Sequence, residues 1–176
     1  WRVIEGGSRE YLKPLCVRFA QRISTGNAVA SVIRHAGRGV TLRMADGQRL
    51  QFDQVVLATH SDQALALLYQ PSPAERSILG AIPYQANDVV LHTDTRMLPR
   101  NTKTWSSWNY TLGQHEQRAV VTYNMNMLQG IEAPETFCVT LNNTAAINPH
   151  KIIGQFQYDH PVFSLAVMAA QQRWEE

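Results

Sequence analysis

Apolar residues recur at Tyr11, Leu12, Leu15, Cys16 and Phe19, spaced one and four apart, which is one face of a helix. Ser8 stands at the N-cap position of that helix, where its hydroxyl would accept a first-turn N–H. Pro14 should kink the helix or push its start later. Upstream, Trp1-Arg2-Val3-Ile4 reads as a short strand broken by Gly6-Gly7. The period then shortens from helical to alternating. Val29, Val32 and Ile33 lead into the turn Ala36-Gly37-Arg38-Gly39; Val40, Leu42 and Met44 alternate up to Ala45-Asp46-Gly47; Leu50 and Phe52 alternate after it. This predicts a three-stranded antiparallel meander. Gln54 to Ala58 is different, because Val55-Val56-Leu57-Ala58 is continuously apolar, as in a buried parallel strand covered on both faces. It runs into Thr59-His60-Ser61-Asp62, after which Ala64, Leu65, Leu67 and Leu68 predict a helix starting near Ser61.

Pro71 and Pro73 mark a boundary, with a short helix from Ser72 or Pro73 through Leu79, ended by Pro83. Strand patterns follow at Val89–Thr93, Thr104–Tyr110, Ala119–Tyr123, Thr136–Leu141 and, weakened by Gly154, Ile152–Tyr158. Turn-rich linkers such as Pro99-Arg100-Asn101 and Leu112-Gly113-Gln114 separate them, and a helix is expected toward the end of Phe163–Trp174. The sum is an α+β chain in which an α/β portion precedes a mostly antiparallel sheet with helices.

Composition narrows what such a chain can do. Apolar residues make up 44% of the 176 positions, enough for a core, so global disorder is excluded. A net charge of +2 is too small for an electrostatic nucleic-acid surface. No run is long and apolar enough to span a bilayer, and no signal-peptide pattern opens the chain, which reads as a soluble cytoplasmic piece. Charged residues are only 17%, against roughly a quarter in an average domain, as expected where surface is shared with other protein. Trp1 and Glu176 accordingly read as cuts from a longer chain. Cys16 and Cys138 lie far apart in apolar segments and read as reduced core thiols.

Candidate chemistry is sparse. A strand emptying into a polar loop at a helix start, as at Ala58-Thr59-His60, is where open α/β folds bind ligands. Yet neither GxGxxG nor GxxxxGK[ST] can be assembled from the ten glycines. Ser61 sits outside any GxSxG elbow, and the six histidines show no paired metal-ligand spacing, so no metal site is expected. Met125 and Met127 straddle Asn126 in what reads as a strand end and suit a core better than a soft-metal site. His60 reads as a capping or loop-packing histidine or as a contact to a bound cofactor. Trp105 and Trp108, if both lie in a strand, fall on opposite faces, with Tyr110 sharing the face of Trp108. They form either an ordinary sheet core or an aromatic wall for an apolar substrate. No catalytic acid or base stands out.

Taken in order, these segments resemble the flavin-containing amine oxidases. Val3-Ile4-Glu5-Gly6-Gly7-Ser8-Arg9-Glu10-Tyr11 is similar to that family's Gly-Gly-Ser strand–turn–helix. Ala28-Val29-Ala30-Ser31-Val32, the hairpins, and Asp53-Gln54-Val55-Val56-Leu57-Ala58-Thr59-His60 are similar to its next FAD-domain segments. Val90-Leu91-His92-Thr93-Asp94, Trp105-Ser106-Ser107-Trp108-Asn109-Tyr110, Thr136-Phe137-Cys138-Val139-Thr140-Leu141-Asn142 and His160-Pro161-Val162-Phe163 resemble a bacterial branch of predicted NAD/FAD-binding, amine-oxidase-like proteins.

The resemblance implies a two-domain flavoenzyme with an incomplete FAD/NAD(P)-binding Rossmann-type fold here: a partial FAD domain over residues 1–70 and a substrate domain over 71–176. It implies FAD as cofactor, a small-molecule substrate, and the remaining segments of the parent chain as partners. By it, Val29 matches a valine whose backbone contacts adenine, and Thr59 and His60 match the loop beside the ADP portion. Gly6, Gly7, Ser8 and Arg9 match the turn near flavin and substrate, leaving Trp105, Trp108 and Tyr110 as further cavity candidates. Two family features are missing from these residues: the GxGxxG turn, and a lysine on the first substrate-domain strand, since the lysines are Lys13, Lys103 and Lys151. The expected activity is hydride transfer from substrate to flavin. The competing expectations are a flavin-dependent desaturase or isomerase of lipid or isoprenoid chains, and a non-catalytic binding or assembly module. A strand and GxGxxG upstream of Trp1 would favour an enzyme.

Overall fold

Backbone pairing in the computed structural model, which describes residues 3–112 and 119–176, follows the predicted alternation closely in some segments and departs from it in others. In chain order the elements are α1 (Arg9–Cys16), β1 (Val29–His35), β2 (Gly39–Met44), β3 (Arg49–Phe52), α2 (Ser61–Leu67) and α3 (Pro73–Leu79). They continue with β4 (Tyr84–His92), β5 (Trp108–Thr111), β6 (Val120–Asn124), α4 (Met125–Gln129), β7 (Cys138–Leu141), β8 (Ile152–Pro161) and α5 (Leu165–Gln171). The chain is thus α+β. It divides into two units, one of residues 1–20 and 86–160, the other of residues 21–85 and 161–176. The sequence boundary near residue 70 falls inside the second unit, between α2 and α3.

In the second unit β1, β2 and β3 form the expected antiparallel meander, with Val32 opposite Leu42 and Leu42 opposite Leu50. Gly39, at φ +82°, is required at the first hairpin: a Cβ there would lie 2.4 Å from the Phe52 carbonyl oxygen. Ser72 caps α3 as its sequence promises, accepting from Glu75 N–H at 3.1 Å while Glu75 accepts from Ser72 N–H at 2.7 Å. Val32, Met44, Ala64, Val167 and Ala170 are the buried apolar residues of this unit.

The first unit is built on a sheet of order β5-β6-β7-β4-β8, in which β5–β6, β6–β7 and β7–β4 are antiparallel. One face carries Val90, Val120 and Cys138 together with His92, Asn109, Thr122, Asn124 and Thr140, all buried. The opposite face carries Leu91, Trp108, Tyr110, Val121, Tyr123, Val139 and Leu141, half-buried or exposed.

Several local expectations are corrected. Val3 and Ile4 are irregular rather than strand, while Trp1 and Arg2 lie outside the described residues, as do Gly113 and Gln114 of one expected turn. Ser8 has helical φ and ψ and its side chain makes no capping bond, so the turn is closed by backbone instead, Glu10 N–H donating to Gly7 C=O at 3.1 Å. Pro14 neither delays nor splits α1, which starts at Arg9 and runs two residues past it; the single i→i−4 bond that proline forgoes falls in the last turn of a short helix. Residues 54–58 form no strand: they find no strand to pair with among the described residues, and Val56 is 89% exposed rather than buried. Apolar continuity sets burial preference, but only a neighbour supplies the ladder. Trp105 follows a short 3₁₀ turn, Thr102–Thr104, and lies outside β5. Met125 and Met127 belong to the helix α4, because the Asn124 side chain caps it at Met127 N–H (3.1 Å) and Gly130 ends it in the left-handed region.

Candidate functional site

The sequence-designated residues fall into separate hollows. Val29 and Thr59 come together, lining a groove of about 380 Å³ with Val32, Leu42, Val55 and Leu57. Val29 is half-buried where β1 begins, and Thr59 is exposed, its hydroxyl donating to the His60 carbonyl at 3.1 Å. His60 lies at the N-terminus of α2, beside this groove in sequence but absent from its lining. Its ring stacks on Tyr84 with centroids 4.4 Å apart, and its backbone N–H donates to Gln63 Oε1 at 3.4 Å. Tyr84 Oη in turn accepts from Ser61 N–H at 3.0 Å, so the phenol closes the same helix start.

In the other unit Gly7 and Ser8 line a hollow of about 230 Å³ with Val3, Ile4 and Gln129. Gly6 (φ +78°) and Gly7 (φ +94°) make the turn, with Gly7 N–H donating to Ile4 C=O at 2.9 Å. Arg9 opens α1 and is exposed. Trp105 lines a third hollow and Trp108 a fourth, the latter with Ser106, Ser107 and Leu128. Tyr110 is exposed on the face it shares with Trp108, and Trp108 meets Tyr123 edge-on at 6.1 Å.

Sequence reading missed a buried polar row on the inner face of the sheet. Asp94 N–H donates to His92 Nδ1 at 3.0 Å, so Nδ1 is an acceptor and the imidazole proton sits on Nε2. Nε2–H donates to Thr140 Oγ1 at 2.8 Å, and the Thr140 and Thr122 hydroxyls share a hydrogen bond at 2.9 Å. All four residues are fully buried. Burial holds the His92 pKa below its ordinary value, against the raising influence of the Asp94 charge. Asp94 accepts from Arg96 Nε (2.9 Å) and Nη2 (2.6 Å) and from Asn148 N–H (2.8 Å). Those bonds, the Arg96 pair foremost, hold its carboxyl far below the usual range despite burial. Cys138, opposite His92 in register, is pushed up to about 11 by burial, with the Asp94 charge adding to the shift. This row ties three strands of the sheet together, and through the Asp94–Arg96 pair its end reaches the hollow that Trp105 lines. Among the described residues no three His, Cys, Asp or Glu gather as a metal site, and no helix is long and apolar enough to cross a membrane.

The family model of the flavin-containing amine oxidoreductases matches residues 2–140, and the chain belongs to that family. No curated protein matches the chain. Family membership brings with it a flavin cofactor and an oxidoreductase type of function.

Proposed function

We propose that this chain is the central part of an FAD-dependent oxidoreductase that takes a hydride from a small-molecule substrate. In this reading residues 1–70 belong to a Rossmann-type FAD-binding domain and residues 71–176 to a substrate domain. The observation that carries it is the groove in which Val29 and Thr59 meet. Its apolar wall suits the face of a purine. Residues 54–58 beside it pair with no strand among the described residues, which leaves backbone groups for the purine edge. The residues present therefore fit the adenine end of FAD. They do not supply the phosphate cradle, since neither GxGxxG nor GxxxxGK[ST] can be assembled from the glycines here.

Val29 and Thr59 would hold the adenine end, with His60 fixing the loop through its stack on Tyr84. Gly6 and Gly7, which carry no side chain and turn the backbone at positive φ, would stand against the flavin and substrate, with Ser8 and Arg9 following. FAD, when bound, supplies a hydride acceptor at its N5. The chain's own part is to orient substrate and exclude water, for which the Trp108–Tyr110–Tyr123 face offers an aromatic wall. No side chain is assigned as acid or base.

One observation favours a second reading. The face that carries Trp108, Tyr110, Val121, Tyr123, Val139 and Leu141 holds no charged residue on these strands, which suits a lipid or isoprenoid chain undergoing desaturation or isomerisation. Product analysis with amines against unsaturated lipids separates the two. The shared premise is tested by the flavin absorbance of the full-length protein that contains this segment. A preparation that is colourless, and stays so after FAD is added, would sink both readings. For residues 1–176 alone, calorimetric titration is expected to show no micromolar binding of FAD, because the phosphate cradle is absent from them.

A further inference from the structure

The hollow that contains Trp105 has no part in the roles above. It has a volume of about 600 Å³ and is lined by Thr95, Arg96, Pro99, Arg100, Thr102 and Trp105, among others. That size falls within the roughly 300–1,000 Å³ of small-molecule sites. Its lining carries two guanidinium groups and no carboxylate.

Both the charge and the ring are held from behind. Arg96 presents the Nε and Nη2 edge of its guanidinium to Asp94, whose carboxylate is fully buried and also accepts from Asn148 N–H at 2.8 Å. The Arg96 side chain is nevertheless 68% exposed, and its Nη1 has no partner among the described residues. Asp94 cancels one positive charge, while the other, on exposed Arg100, has no ion-pair partner among the described residues. Trp105 Nε1–H donates to the Pro99 carbonyl at 2.8 Å, which fixes the half-buried indole and uses up its only donor. What the ring offers the hollow is therefore a flat apolar surface. Thr95 and Thr102 also line it.

We propose that this hollow binds a small aromatic carboxylate, its carboxylate between Arg96 and Arg100 and its ring against Trp105. A planar carboxylate matches the remaining guanidinium edge, and stacking supplies what a simple anion lacks. The site lies wholly within one unit and is independent of the flavin assignment, so either can fail without the other.

The test is titration of the chain, ¹⁵N-labelled at tryptophan, with benzoate, benzamide and acetate, following the indole N–H signal assigned by Trp105→Phe. Benzoate is expected to shift the Trp105 signal saturably. Benzamide, which has the ring without the charge, and acetate, which has the charge without the ring, should each bind at least about tenfold more weakly. Arg100→Ala should weaken benzoate about tenfold, the loss expected for one charge-assisted hydrogen bond. Arg100 holds no other described residue, so that variant keeps the fold. The proposal is overturned if benzoate gives no saturable shift, if benzamide or acetate matches it, or if Arg100→Ala binds benzoate as the unaltered chain does.

Discussion

Thr140→Val replaces a hydroxyl by a methyl of nearly the same volume at a position with no solvent exposure. Packing is preserved, so the effect isolates hydrogen bonding. Two groups lose their partner: His92 Nε2–H, which donates at 2.8 Å, and the Thr122 hydroxyl, which shares a hydrogen bond with Thr140 Oγ1 at 2.9 Å. Each orphaned buried group costs about 1–3 kcal/mol, while the extra buried methyl returns about 0.8 kcal/mol. A net loss of about 1–5 kcal/mol is expected, a sizeable part of the roughly 5–15 kcal/mol that holds a typical domain. Urea unfolding followed by far-ultraviolet circular dichroism should show the midpoint falling with an unchanged slope. The companion variant Thr122→Val/Thr140→Val removes one of the two orphans. It should therefore lose less than the sum of the single changes, by about 1 kcal/mol. A Thr140→Val midpoint within about 0.5 kcal/mol of the unaltered chain would refute the argument, as would strict additivity in the double variant.

Three further outcomes follow from groups already placed. Because the folded pKa of His92 lies below its ordinary 6.5, the unfolded chain binds more protons as pH falls through that value, and stability should drop on going from pH 7.5 to 5.5. His92→Gln should flatten that dependence in thermal melts at the two pH values. Ser72→Ala removes the acceptor for Glu75 N–H and should cost about 1 kcal/mol in urea unfolding, with Ser72→Gly costing less. Cys138, fully buried and with its thiol pushed up to about 11, should resist a disulfide-exchange reagent at pH 8 until the chain unfolds. Half-buried Cys16 should react in the native state, so a count of two thiols before denaturant is added would contradict the burial of Cys138.

The meander and the helices α2 and α3 were legible because their determinants are local: alternation, glycine at a positive-φ turn, and a Ser-x-x-Glu start. Residues 54–58 were misread because the choice between strand and coil rests on a neighbour that no local pattern encodes. The helix α4 left a readable signal in Asn124 and Gly130, six positions apart, yet the alternation of Met125 and Met127 outweighed it. The buried row was hidden for a different reason. His92, Thr122 and Thr140 are polar residues in strand positions, and only the register that sets Thr122 opposite Thr140 shows that they face inward together. For the hollows, sequence marked Val29, Thr59, Gly7, Ser8 and Trp105 but could not sort them, because grouping depends on long-range contacts. Arg96 and Arg100 drew no notice, since lone arginines in a turn-rich linker look like solvated surface.

The division into two units has a consequence for the order in which the protein can be made. Residues 21–85 emerge from the ribosome long before residues 161–176, yet both belong to one unit, where Arg173 Nη1 donates to Ser77 Oγ at 3.1 Å. That unit must wait for the last helix, with Val167 fully buried, while the whole intervening segment is synthesised. During that interval the side of α3 destined for α5 stands uncovered. A nascent chain arrested before residue 161 should hold that unit open to protease, and emergence of residues 161–176 should close it.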